Sequence, residues 1–206
     1  MPNITPVQLA RTSSAVGTSI SPLSWSHVVD SGVNRLLVVA VSLRAFQTVT
    51  SVTFGDVALS KHQSVQGGAG NYPRAELWYL VAPAVGRANV VVTMSGAEWV
   101  EAGALNFINA HQGLPLGPAA TASSTGPGPA SVTALAALGD LVVDCLAYNT
   151  ANATAAAGQV ERIKVSSDGN WRLGCSTKPG AASTKMSWGL ISAWAQVAAA
   201  VKAASI

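Results

Sequence analysis

Two carboxylates stand inside apolar stretches of this sequence. Glu76 lies in Arg74-Ala75-Glu76-Leu77-Trp78-Tyr79-Leu80, and Asp144 lies in Leu141-Val142-Val143-Asp144-Cys145. Facing carboxyls about 5–9.5 Å apart are what glycoside hydrolysis requires. The plainer role for each is a structural charge tied to an arginine such as Arg74 or Arg172, because a buried carboxylate needs a partner. The plainer role is favoured. The three histidines, His27, His62 and His111, are far apart, and no Gly-x-Ser-x-Gly elbow accompanies them. His27, in Ser24-Trp25-Ser26-His27, reads as a cross-strand polar partner rather than the base of a Ser/His enzyme. Without a Cys-x-x-Cys pair or clustered histidines, no metal site is expected. Asp168-Gly169-Asn170 is a turn first and a calcium loop second. No phosphate-binding glycine loop occurs, so no cofactor is expected.

The six tryptophans carry the remaining chemistry. Trp78 sits between Leu77 and Tyr79 in an apolar strand and reads as core. Trp171 follows the Asp168–Asn170 turn, and Trp99 opens a strand after Gly96. These two are the candidates for a contact surface, since exposed aromatics stack on sugars and anchor protein interfaces. Cys145 and Cys175 both fall in strands. A single bridge or two buried thiols fit equally well.

The elements that position these residues repeat with period two. Arg35–Leu43 is continuous and branched, the pattern of a strand buried on both faces. Val49–Leu59 has Gly55-Asp56 at its centre and reads as a hairpin. Further strands are expected over 74–81, 89–94, 100–109, 131–133, 140–148, 160–165, 170–176 and 184–190. Ala193–Lys202 has helix-favouring composition. Its odd positions nevertheless form one apolar face, with Gln196 and Lys202 on the other, so a strand closing the sheet near the N-terminal strands is expected. The Gly/Pro/Ser/Thr-rich stretch 113–129 reads as a long crossover loop, and residues 1–11 as an N-terminal arm reaching a neighbour. No solenoid or heptad period is evident. About a dozen short strands with turns every 8–12 residues define an all-β, two-sheet antiparallel sandwich, jelly-roll-like, in a single domain 1–206.

Composition narrows the partners. Hydrophobic residues make up 49% and charged residues 10%, well below the ~25% of typical soluble chains. The net charge of +3 is scattered, and only Arg162, Lys164 and Arg172 approach a cluster, so no nucleic-acid partner is expected. No apolar run reaches the ~18 residues of a membrane helix, so no membrane partner is expected. Met1-Pro2-Asn3-Ile4-Thr5 lacks the charged-then-apolar pattern of a signal peptide.

Several segments resemble a β-sandwich domain family of bacteriophage structural proteins and bacterial surface proteins. They are Ser24–His27, Asn34–Val39, Val52–Leu59, Arg74–Leu80, Gly139–Asp144 and Thr177–Ala182, spread from about residue 20 to the end. These motifs are strand starts and turn glycines, and the family offers no catalytic or binding residues to carry over. The resemblance implies a jelly-roll-like sandwich in particle or cell-surface structures. The resulting expectation is a non-enzymatic virion protein made in the host cytoplasm: a capsid decoration, minor capsid or head-fibre protein. It would partner itself as a homo-oligomer and a major capsid or fibre protein. The alternative is a carbohydrate-binding module taking a glycan on Trp99 and Trp171, free or on a tail fibre, at the cell surface or outside the cell.

Overall fold

The structure, a computed structural model, describes residues 4–149, 152–167 and 170–204. The first half of the chain supplies nine strands: β1 (Gln8–Ile20), β2 (Leu23–Val29), β3 (Leu36–Arg44), β4 (Val49–Phe54), β5 (Val57–Ala58), β6 (Ser60–Gln66), β7 (Pro73–Val81), β8 (Gly86–Met94) and β9 (Glu98–Ile108). The second half supplies seven: β10 (Ala120–Ser124), β11 (Gly128–Ala134), β12 (Leu141–Asn149), β13 (Val160–Ser166), β14 (Trp171–Pro179), β15 (Thr184–Ile191) and β16 (Trp194–Val201). Every pairing between named strands is antiparallel. The all-β antiparallel sandwich expected from the sequence is present. Its strands outnumber the dozen anticipated.

Two five-stranded sheets, β1-β9-β3-β7-β6 and β10-β16-β12-β14-β13, face each other across a core of Leu36, Val38, Leu77, Leu105 and Phe107 against Val143, Cys145, Leu173, Ala195 and Val197. Each large sheet also carries a smaller sheet on its outer face. The sheet β2-β8-β4-β5 covers Leu37, Val39, Val41 and Trp78 with Val52, Phe54, Val90 and Val92. The pair β11-β15 covers Leu146, Tyr148, Val142 and Ala198 with Ala130, Val132, Met186 and Trp188. The molecule is therefore four layers deep. This explains why β3, β12 and β16 are apolar on both faces: a middle-layer strand has no solvent side.

The two halves share one topology. The orders β1-β9-β3-β7-β6 and β10-β16-β12-β14-β13 match strand for strand in chain order, and β2-β8 corresponds to β11-β15. β1 lies over β13 as β10 lies over β6. Face-to-face sheets related this way, with β3 and β12 running the same way, define a pseudo-two-fold axis along the strands. Among the described residues the second half has no β4-β5 counterpart. There Ala156 donates to Ser187 O at 3.0 Å, and Gly189 donates to Thr154 O at 3.0 Å, covering the β15 edge.

Three expectations change, and a fourth falls outside the described residues. Residues 8–11 are no free arm, since β1 pairs with β9 from Gln8 opposite Ile108. Val7 is buried, and its N–H donates to Gly139 O at 2.9 Å. The 113–129 stretch is not one loop, because Ala120–Ser124 pairs with β16 and β11 begins at Gly128. Small alternating residues suit this sheet edge, where partial exposure leaves little to fill. β16 pairs with β10 and β12 rather than with N-terminal strands, and all eight of its residues are buried. Asp168 and Gly169 of the calcium-loop expectation lie outside the described residues. The Gly55-Asp56 hairpin is as expected. Both residues have positive φ, 54° and 67°, which two-residue hairpin turns of this hand require.

Candidate functional site

Trp99 and Trp171 come together at one end of the central core. Leu43 pairs with Val100, so Arg44 and Trp99 leave their strands side by side. The Arg44 guanidinium lies 3.9 Å from the Trp99 ring centroid, 5.3 Å from Phe46 and 6.0 Å from Trp171. Its Nε donates to Glu98 Oε1 at 2.6 Å, and the same oxygen accepts the Trp99 backbone N–H at 2.8 Å. Behind this group Glu101 is fully buried, accepting from Ser42 Oγ at 3.0 Å and from Ser167. The arrangement plugs the core. Trp171 is not exposed as its turn suggested, with 5% of its surface accessible, and Arg44 covers a face of Trp99. Sequence reasoning missed Arg44, Glu98 and Phe46. Their one signal was position, at the ends of the two strands that pair.

The carboxylates do not meet. Glu76 and Trp78 alternate with Leu77, which faces the central core, so Glu76 points to the β2-β8-β4-β5 side. It takes Arg74 Nε at 2.6 Å, Lys61 Nζ at 3.2 Å and Trp78 Nε1 at 3.0 Å, so the arginine expected for it is there. Asp144 alternates with Val143 and Cys145 and points the opposite way, toward β15. No arginine reaches it. Its oxygens accept Ser176 N at 2.7 Å, Ser176 Oγ at 2.8 Å, Trp188 Nε1 at 2.7 Å and Gln196 Nε2 at 2.8 Å. Full burial pushes its pKa up to about 6 against these four donors. Two sheets separate the carboxyls, so the paired-acid arrangement is not assembled.

His27 is a cross-strand polar partner. Its Nδ1 lies 2.8 Å from Ser13 Oγ, which also accepts Trp25 Nε1 at 2.9 Å. Burial lowers its pKa to about 4. Its Nε2 has no hydrogen-bond partner among the described residues. Cys145 and Cys175 are both free and buried. The β12–β14 register, Val143 opposite Thr177 and Leu146 opposite Gly174, sets them directly across from each other. Burial raises the Cys175 thiol well above its usual range. Among the described residues no three His, Cys, Asp or Glu side chains group as metal ligands.

The opposite end of the sandwich is different in kind. Loops 30–35, 82–86, 109–117 and 135–140, with residues 4–7, are bound into one surface. Arg35 donates to Pro83 O and Gly32 O, Asn109 to Val33 O, Lys202 to Pro115 O, and Val7 to Gly139 O. This surface exposes Leu138 (84%), Leu114 (70%), Val33 (69%), Leu135 (64%), Val57, Val85 and Ile4. Depressions open on it. One, of about 330 Å³, runs between Val57 and Val85. Others lie beside Leu138 and beside Leu135. At the tryptophan end the comparable exposed residue is Phe46. Comparison with protein-family models, curated proteins and solved structures finds no match for this chain.

Proposed function

We propose that this chain is a structural protein that works through subunit contacts, with no chemistry of its own, as a component of a virus particle: a capsid decoration, minor capsid or head-fibre protein. The observation that carries the contact role is the apolar end. Monomeric proteins rarely expose a contiguous apolar patch beyond a few hundred Å², and larger patches mark interaction sites. The low charge content supports the same reading, since a charge-poor surface is cheap to cover. The placement in a particle rests on the resemblance of the Asn34–Val39, Val52–Leu59 and Gly139–Asp144 segments to bacteriophage structural sandwiches. A glycan-binding role draws less support, because Arg44 already stacks on Trp99 and Trp171 is buried.

The test is the mass of the purified protein by light scattering across a concentration series, followed by a search for the chain in purified phage particles. A discrete oligomer and a place in the particle are expected. A protein that stays monomeric at high concentration and is absent from particles overturns the proposal.

A further inference from the structure

The most exposed apolar side chains of the end face are not scattered. Val33 stands three residues before β3 begins at Leu36, and Leu138 stands three residues before β12 begins at Leu141. β3 and β12 are the equivalent strands of the two halves. Each apolar residue is followed by one in the left-handed region, Asn34 at φ 51° and Gly139 at φ 92°. That conformation turns the chain sharply into the strand and leaves the preceding side chain outside. Two different sequences, Gly32-Val33-Asn34-Arg35 and Ala137-Leu138-Gly139-Asp140, thus build the same knob on either side of the pseudo-two-fold axis.

We infer that this end face is a self-docking surface and that its occupant is a second copy of the chain, joined end to end across a two-fold axis. The inference rests on the contact role proposed above and adds the surface, the partner and the symmetry. A face that is already pseudo-two-fold about its own normal can meet its own copy with Val33 and Leu138 both engaged, and the contact then closes without growing into a filament. Size agrees. The seven apolar residues are 44–84% exposed, on the order of 700 Å² with their backbone counted, near the ~800 Å² each partner buries in a standard interface. Charge agrees in part. Arg35 is held by two backbone carbonyls, Arg11 is paired with Asp30, Arg87 donates to Ser26, and buried Asp140 accepts the N–H groups of Ala137 and Ala203. Lys202, beside Leu135, and Asp56, beside Val57, are the opposite charges that a second copy can pair across the two-fold. A lipid surface fits less well, because no tryptophan or tyrosine is among the large apolar residues exposed there and interfacial anchoring favours those two.

The experiment is sedimentation of wild type, V33D, L138D, the double variant and V16D over micromolar to millimolar concentration. Both knobs sit in exposed turns, so the variants should fold, and near-UV circular dichroism checks this. Val16 is exposed on β1, away from the end face, and V16D serves as the control. Wild type and V16D should dimerise alike, each single end variant should weaken the dimer about tenfold or more, and the double variant should be monomeric. A folded double variant that associates like wild type overturns this surface while leaving the contact role standing. Wild type that is monomeric throughout overturns self-docking. If that monomer co-sediments with phosphatidylserine vesicles, self-docking is overturned in favour of a membrane partner.

Discussion

Asp144 and His27 are buried against different outer sheets, and their pKa values shift in opposite senses. Asp144 has its folded pKa raised from 3.8 to about 6, so its carboxyl prefers to stay neutral in the folded protein. The associated stability is full below pH 3.8 and is lost as pH rises through 6, roughly 3 kcal/mol. His27 has its folded pKa lowered from 6.5 to about 4 by burial and Arg11, with Asp30 opposing. Its contribution is full above pH 6.5 and is lost as pH falls through 4, again roughly 3 kcal/mol. The two slopes oppose each other over nearly the same window. Stability measured by urea denaturation should therefore change little between pH 4 and 6.5 in the wild type. D144N should become more stable with rising pH across that window, and H27Q less stable. Equal slopes in all three proteins would refute this account. Asp144 was legible as a buried acid. Its donors were not, because Ser176, Trp188 and Gln196 come from three other strands and share no spacing with it.

At the level of strands, contacts between layers rest on a few small residues. Gly174 in β14 lies under Trp188 of the outer sheet, and a Cβ there would come 2.9 Å from the Trp188 ring. The ring cannot move away freely, since its Nε1 is bound to Asp144. G174A should cost about 1–3 kcal/mol in denaturation experiments, as overpacking usually does. G126A is the contrast. A Cβ added there meets nothing within 4 Å, and little change is expected. The elements that were plain in the sequence are β3, through its burial on both faces, and the β4–β5 hairpin, through its Gly55-Asp56 turn. β10 was missed because Ala120–Ser124 contains no large apolar residue, and β1 because its thirteen residues are half polar at a sheet edge.

The four-layer stack was partly legible too. A strand apolar on both faces needs a layer on each side, and Arg35–Leu43 and Asp140–Tyr148 both announce one. The duplication stayed hidden because equivalent positions do the same backbone work with different residues, as Asn34 and Gly139 do. Central-core burial is shared between the halves, with Leu36, Leu77 and Phe107 on one side and Val143, Leu173 and Val197 on the other. Neither half can bury its inner face alone. Residues 1–118 or 119–206 expressed singly should be insoluble or unfolded, while co-expression should return a complex with the native near-UV spectrum. Either piece folding alone would show that the halves are independent units.

Ile4 lies against Gly139, close to Ala203, so the two ends of the described chain meet on the face that carries Leu138. A bulky group attached close to Ile4 or Ala203 would crowd that face. Association is therefore best measured on the chain without a fusion at either end. A label placed in the turn at Gly126, which crowds nothing, leaves the same face uncovered.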